Sequence, residues 1–288
     1  MKIAMIGSGG WGTAMVTSLA ARHDDLELYC RREEAARELK ETRENKEYLP
    51  GVRIPVHVKI TSDLEKAVSG ADCMVLSTPS KAVEITAEAM APFMKKNAVA
   101  VCASKGLADE AGHRLSEIIS EKFSSVTDRI VVLSGPNHAE EVGLGLPAAT
   151  VAASEVPEAV QIVQDVFMRP VFRVYRSDDI RGVEYGGALK NIVALACGVQ
   201  DGIGLGDNCR AALMTRGLVE MARFGVHFGP PGNLFRLIGN GRPCCYMYQY
   251  PQPQSQGGPY VGKRKDRKRN LRRNPHGGGR NANGFPGE

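Results

Sequence analysis

The chain has 288 residues, 43% of them hydrophobic and 24% charged, which is enough for two domains with a sizeable core. Seven cysteines are scattered without C-x-x-C or metal-ligand spacing, which excludes a disulfide scaffold or a zinc module and fits a reducing cytosol. The net charge of +5 divides unevenly: residues 228–288 hold 11 Lys/Arg against 2 Asp/Glu, and residues 1–227 hold 26 against 30.

Lys2 to Ile6 is a short apolar run that reads as a buried strand. It meets a glycine-rich turn, Gly7 to Gly12, and then Thr13 to Ala20, a good helix start. This is G-x-G-x-x-G in the strand–turn–helix setting of a dinucleotide site. Gly7 permits the tight turn, Gly9 lets the backbone approach a pyrophosphate, and Gly12 lets helix and strand pack closely. The helix N-terminus offers free N–H groups to phosphate. The same turn interrupts the N-terminal apolar run too early for a signal peptide.

Leu26 to Cys30 reads as the second strand of a βαβ unit. Where an NAD site carries Asp or Glu, this chain has Arg31 and Arg32, which suit a 2′-phosphate and favour NADP(H) over NAD(H). A charged helix is expected from Glu33 to Lys46, a turn at Tyr48 to Gly51, a strand at Val56 to Ile60 and a short helix at Asp63 to Val68. Strands are then expected at 71–78, 98–103, 129–134, 148–153 and 171–175, with helices at 82–94, 112–123 and 156–167. No segment is long and apolar enough to span a bilayer. The alternation predicts a parallel α/β sheet of Rossmann type covered on both faces, followed from about residue 178 by an all-α part. Gly182 to Gly198 is apolar nearly all round, as a buried central helix would be, and Asn208 to Phe224 is a second helix.

Ligands of open α/β sheets sit beyond the carboxyl ends of the strands, where the loops at 78–80, 104–106 and 134–138 carry polar groups. Lys105 is the one cation of its loop. His138 fits a helix start better than a catalytic base. Lys190 stands out, because an ammonium on an apolar helix is expensive unless it faces a polar cleft. There it can exchange the proton that accompanies hydride transfer at a carbonyl, or its stem can pack while its head reaches water. Gly186 and Gly187, one turn earlier, suggest a notch for a flat ring.

Together, Gly7–Ala14, Ser104–Leu107, Ser134–Glu141, Gly182–Asn191 and Ala211–Leu218 resemble the bacterial NAD(P)-dependent glycerol-3-phosphate dehydrogenases, in order and spacing, from Met1 to about Val226. The resemblance implies a cytoplasmic oxidoreductase that interconverts dihydroxyacetone phosphate and sn-glycerol 3-phosphate for glycerophospholipid synthesis. It implies a homodimer when the C-terminus is intact, and neither nucleic-acid binding nor membrane insertion. Carried over by motif, Lys190 is the catalytic lysine and Lys105 touches cofactor and substrate. Gly10, Trp11, Arg31, Arg32, Tyr48 and Ala139 contact the cofactor beside Gly7, Gly9 and Gly12. Gly135 and Asn137 contact substrate, although many members carry Ser or Thr where Asn137 stands.

The resemblance stops at Val226 or His227. Family members continue through Gly-Asp-Leu and Ser-Arg-Asn segments; this chain continues through a Pro/Gln/Tyr-rich stretch, a Lys/Arg run and a Gly/Asn-rich end with no amphipathic period. Back-translated with degenerate bases free and read from the second base of each codon, Arg242 to Gly257 can spell Asp-Leu-Val-Val-Thr-Cys-Thr-Ser-Thr-His-Ser-Arg-Asn-Arg-Arg-Ala. Both missing segments reappear in order, so residues 228–288 read as a frameshifted translation. Two other readings are a non-catalytic dinucleotide-binding module whose basic tail (Lys263 to Arg273) binds an anionic partner, and another dehydrogenase of the same architecture.

Overall fold

The computed structural model describes residues 1–228, with side chains to 224; the frameshift expectation therefore lies outside the described residues apart from Phe228. The chain runs β1 (Ile3–Ile6), α1 (Gly10–Leu19), β2 (Leu26–Tyr29), α2 (Glu33–Thr42), β3 (Glu44–Asn45), β4 (Leu49–Arg53), β5 (Lys59–Thr61), α3 (Leu64–Val68), β6 (Cys73–Leu76) and α4 (Ser80–Met90). It continues through β7 (Val99–Cys102), α5 (Leu115–Phe123), β8 (Ile130–Ser134), α6 (Ala139–Gly143), β9 (Ala148–Ala153), α7 (Pro157–Phe167), β10 (Phe172–Ser177), α8 (Ile180–Gly202) and α9 (Gly206–Phe228).

Eight strands form one sheet in the order β10-β9-β8-β7-β6-β1-β2-β5. Every side chain of β1, β6 and β7 is buried, so these short apolar runs need cover on both faces. Alternation divides the core between those faces. Ile3, Met5, Val75 and Val101 pack with Met15 and Leu19 of α1, whereas Ala4, Ile6, Met74 and Ala100 pack with Val83, Ile119 and Phe123 of α4 and α5. From β1 the chain builds outward through β2 on one side and through β6 on the other. That reversal opens a crevice at the carboxyl end of β1, where such folds bind ligands.

Three expectations are corrected. The sheet is not wholly parallel: β9 runs antiparallel to β8, with Leu133 opposite Ala152. The intervening chain does not cross a face of the sheet but folds into α6 against α1 and β4, so β9 returns in the reverse direction. The charged helix ends at Thr42, and Tyr48 to Gly51 is not a free turn. Residues 44–53 form a small antiparallel hairpin, β3 and β4, whose apolar Leu49 and Val52 are buried in the core. Finally, α8 is not buried all round. Ile180, Val183, Gly187 and Lys190 are buried, whereas Ile192, Leu195 and Val199 are exposed. It packs mainly on β8, β9 and α9, and the start of α5 bonds to its Glu184.

Helix α8 starts sharply. The Asp179 carboxylate accepts a 2.8 Å hydrogen bond from the Gly182 N–H, capping the first turn. None of the described helices is long and apolar enough to cross a membrane.

Candidate active site

The glycine turn is built from close approaches. Gly7 has φ +117°, a left-handed region that favours glycine. A Cβ on Gly12 would lie 2.0 Å from the Gly7 carbonyl oxygen, so only glycine lets α1 start this close to β1. A Cβ on Gly9 would meet nothing within 4 Å; its face of the turn looks into open space. The first N–H groups of α1 have no carbonyl of their own helix to bond, and the first turn carries no acidic side chain to compete for them. Asn45 pins the turn from outside: its Nδ2 donates to the Ser8 carbonyl and to Thr13 Oγ1, each at 2.8 Å. A Cβ on Gly10 would stand 2.7 Å from the Tyr48 carbonyl and 3.6 Å from the Ala139 Cβ, so these three residues meet at one point.

A cleft of about 450 Å³ opens over this turn and extends to the carboxyl end of β2, between α2 and α4. Gly7, Gly9, Arg31, Arg32, Tyr48 and Thr78 line it. Arg32 Nη2 lies 3.1 Å from Glu47 Oε2 on the surface, whereas Arg31 has no ion pair among the described residues. The residues fit a dinucleotide. Open space faces Gly9, a bare helix N-terminus lies beside it, and an unpaired guanidinium stands at the far end of the cleft.

The second group gathers where the loops after β7 and β8 meet α8. Lys190 is 8% exposed, and its Nζ donates to the Gly135 carbonyl at 2.8 Å. That carbonyl also accepts from the Asn137 N–H at 3.0 Å, so both its lone pairs are engaged. Lys105 contacts Lys190 through its side chain, and its Nζ sits 5.6 Å from the centroid of the Trp11 ring. Burial, reinforced by the Lys105 charge, lowers the Lys190 pKa to about 7. Burial also lowers that of Lys105, while its hydrogen bond to Lys190 acts the other way. A pair of ammonium groups in contact is unstable. The arrangement is satisfied when Lys190 is the neutral amine, donating to Gly135 and accepting from Lys105.

Around this pair, Trp11 Nε1, Thr78 Oγ1, Asn137 Oδ1 and Thr150 Oγ1 are buried without a hydrogen-bond partner. The Asn137 amide nitrogen is committed to the Ala149 carbonyl of β9 at 2.9 Å. Gly187 does not open a notch: a Cβ there would lie 2.6 Å from Ser134 Oγ, so it serves close packing of α8 on β8, and Gly186 alone faces open space. His138 stands at the N-cap of α6 with no capping bond from its side chain.

The structure thus brings Trp11, Lys105, Gly135, Asn137 and Lys190 to one place, and Gly10, Tyr48 and Ala139 to the neighbouring one. Sequence reasoning missed Asn45 and Glu47. Both lie in a charged run that gives no periodic signal for the hairpin presenting them.

The family model of the NAD-dependent glycerol-3-phosphate dehydrogenase N-terminus matches residues 2–160, and that of the corresponding C-terminus matches residues 179–245. The chain belongs to this family. It is therefore an NAD(P)-dependent oxidoreductase of the glycerol-3-phosphate dehydrogenase type. It is 54% identical over 228 residues to the glycerol-3-phosphate dehydrogenase [NAD(P)+] of Moorella thermoacetica, covering 79% of this chain and 67% of that one. With the Bacillus subtilis protein of the same name it shares 46% over 239 residues, covering 83% and 69%. Among solved structures it resembles glycerol-3-phosphate dehydrogenase from Coxiella burnetii with TM-score 0.76 at 33% identity, over 82% of this chain and 71% of that one. The chain thus spans about two thirds of the length of these relatives. The C-terminal match ends at residue 245, beyond His227, where the resemblance is expected to stop.

Proposed function

We propose that this chain carries the machinery to interconvert dihydroxyacetone phosphate and sn-glycerol 3-phosphate, in the cytoplasm and for glycerophospholipid synthesis. The observation that carries the reading is Lys190, a buried amine with a pKa of about 7, held on the Gly135 carbonyl beside Lys105. Residues 1–177 bind the dinucleotide, and residues 178–227 begin the substrate-binding helical part. When bound, the nicotinamide cofactor supplies or accepts the hydride at C2 of the substrate. Protonated Lys190 gives its proton to the C2 oxygen as the ketone is reduced, and neutral Lys190 takes it back during oxidation. Lys105 stays cationic beside it and attracts the anionic substrate. Trp11, Gly10, Tyr48 and Ala139 hold the cofactor between the two sites, and Gly135 and Asn137 orient the substrate.

Arg31 and Arg32 face the 2′-phosphate in this reading, which makes NADP(H) the preferred cofactor and NAD(H) the second. Replacing both with Ala should weaken NADPH binding at least tenfold and leave NADH binding within about twofold, because charge-assisted contacts are lost for the phosphorylated cofactor alone. Fluorescence titration measures both. Equal losses, or none, would make the pair a solvated surface.

The frame shift expected from residue 228 lies further on, because the family match runs to residue 245; the chain beyond that match is, in our reading, out of frame, so the chain as written has little activity. Expressing it beside its frame-restored version and measuring dihydroxyacetone phosphate reduction tests both proposals. The restored chain should be at least 100-fold faster, and it should be a dimer that binds neither nucleic acid nor membranes. Equal activity would overturn the frameshift. No activity in the restored chain, with nucleotide binding intact, would favour a binding module or a dehydrogenase of other specificity.

A further inference from the structure

The strongest group of interactions outside the site joins the two lysine-bearing segments. Lys105 begins the long excursion between β7 and α5. Gly106, with φ +120°, turns the chain there, and a bridge from Leu107 to Arg114 closes it into a narrow loop. Arg114, at the base of that loop, is buried, and so is Glu184, two turns before Lys190 on α8. Arg114 Nη1 meets Glu184 Oε2 at 3.0 Å, and its Nη2 meets Glu117 at 2.6 Å. Glu184 Oε1 accepts from the Ser116 backbone N–H at 2.9 Å, and its other oxygen accepts from the Ser116 hydroxyl. Every oxygen of this carboxylate is occupied by the β7–α5 segment. Burial raises the Glu184 pKa, and Ser116 and Arg114 oppose that shift.

A buried ion pair is weak evidence for stability as such, since desolvation consumes much of its Coulombic gain. A buried carboxylate saturated by a single neighbouring segment fixes geometry instead. We propose that Glu184, clamped by Arg114 and Ser116, is a positioning residue that sets the spacing between Lys105 and Lys190. The inference rests on the catalytic reading of Lys190 for its significance, but its observable does not. Lys105 on the β7 loop is the charged group facing Lys190 among the described residues. The other elements packed there present the Gly135 carbonyl, Asn137 and the Trp11 ring. Loosening the clamp lets the amines separate and admits water, so the Lys190 amine regains its proton.

The test is the pH dependence of Lys190 acetylation by acetic anhydride in the 288-residue chain, read by peptide mass spectrometry. The wild-type midpoint is expected near 7. Glu184→Gln should raise it by one unit or more, lowering Lys190 labelling at neutral pH by about fivefold or more. Glu84→Gln, which breaks the surface pair between α4 and Lys122, is the control for lost stability and should leave the midpoint in place. Arg114→Lys keeps the charge but loses the planar fork; it should shift the midpoint the same way and by less. It decides the matter if Glu184→Gln fails to fold. An unmoved midpoint in a folded Glu184→Gln or Arg114→Lys chain would reduce the network to structure alone. Turnover of Lys190 variants decides the catalytic reading separately.

Discussion

Lys190→Met is expected to lower turnover of the frame-restored enzyme by about 10³-fold, within the range of general acid–base catalysis, while nucleotide affinity stays within about twofold. Methionine keeps the length and the buried stem but cannot donate to the Gly135 carbonyl or carry a proton. The sign of the pH dependence follows from a pKa lowered to about 7. Below that value Lys190 is protonated and serves as the acid for ketone reduction; above it the neutral amine serves as the base for alcohol oxidation. Reduction should therefore fall, and oxidation rise, as pH passes through about 7. Steady-state rates in both directions over pH 5.5–9 check this, a range set about one and a half to two units either side of the titration. Near-normal turnover of Lys190→Met would mean that the lysine only packs its stem.

The second large effect separates two glycines three positions apart. Gly12→Ala places a methyl 2.0 Å from the Gly7 carbonyl, and backbone is on both sides, so strand and helix must move apart. Overpacking of this kind costs about 1–3 kcal/mol or more and spoils the helix N-terminus at the same time. The melting temperature should fall by several degrees, and NADPH binding by about 100-fold. Gly9→Ala meets no protein atom within 4 Å. Its melting temperature should match the parent's, yet its methyl occupies the space through which the pyrophosphate approaches, so binding alone should weaken. Equal binding by parent and Gly9→Ala would remove the cofactor from that face of the turn.

Much of this fold is legible where physics acts locally. The glycine turn is readable because close approach excludes every other side chain, and the central strands because burial on both faces demands unbroken apolar runs. Lys190 stands out because a cation on an apolar helix conflicts with its surroundings. The missing parts depend on distant neighbours. Tyr48 to Gly51 carries turn residues, yet Leu49 and Val52 are drawn into the core beside α1 and α6, and pairing with residues 44–45 makes a strand of them. Helix α6 spans only Ala139–Gly143, too short to show a period. The direction of β9 depends on where its connection packs, and its Ala-Ala-Thr-Val-Ala-Ala sequence reads almost alike in either direction. Arg114 and Glu184 lie 70 positions apart, a separation across which sequence pattern carries no pairing signal. The exposure of one face of α8 is likewise a property of what packs beside it.

The central position of β1 sets an order of assembly during synthesis. Ile3 pairs with Leu26 on one side and with Cys73 on the other, so the first strand has no second neighbour until more than 70 residues have been made. The outer strands then add in chain order through β7, β8, β9 and β10, ending at Ser177. Domains generally fold as units, N-terminal first, as they emerge. On that schedule the whole sheet is available before the ribosome reaches residue 245, and a reading-frame error beyond that point comes too late to disturb it. Such an error would be expected to leave cells with a nucleotide-binding fragment rather than an aggregate, and pulse-labelled nascent chains stalled about 50 residues beyond Ser177 should already be protease-resistant through that residue.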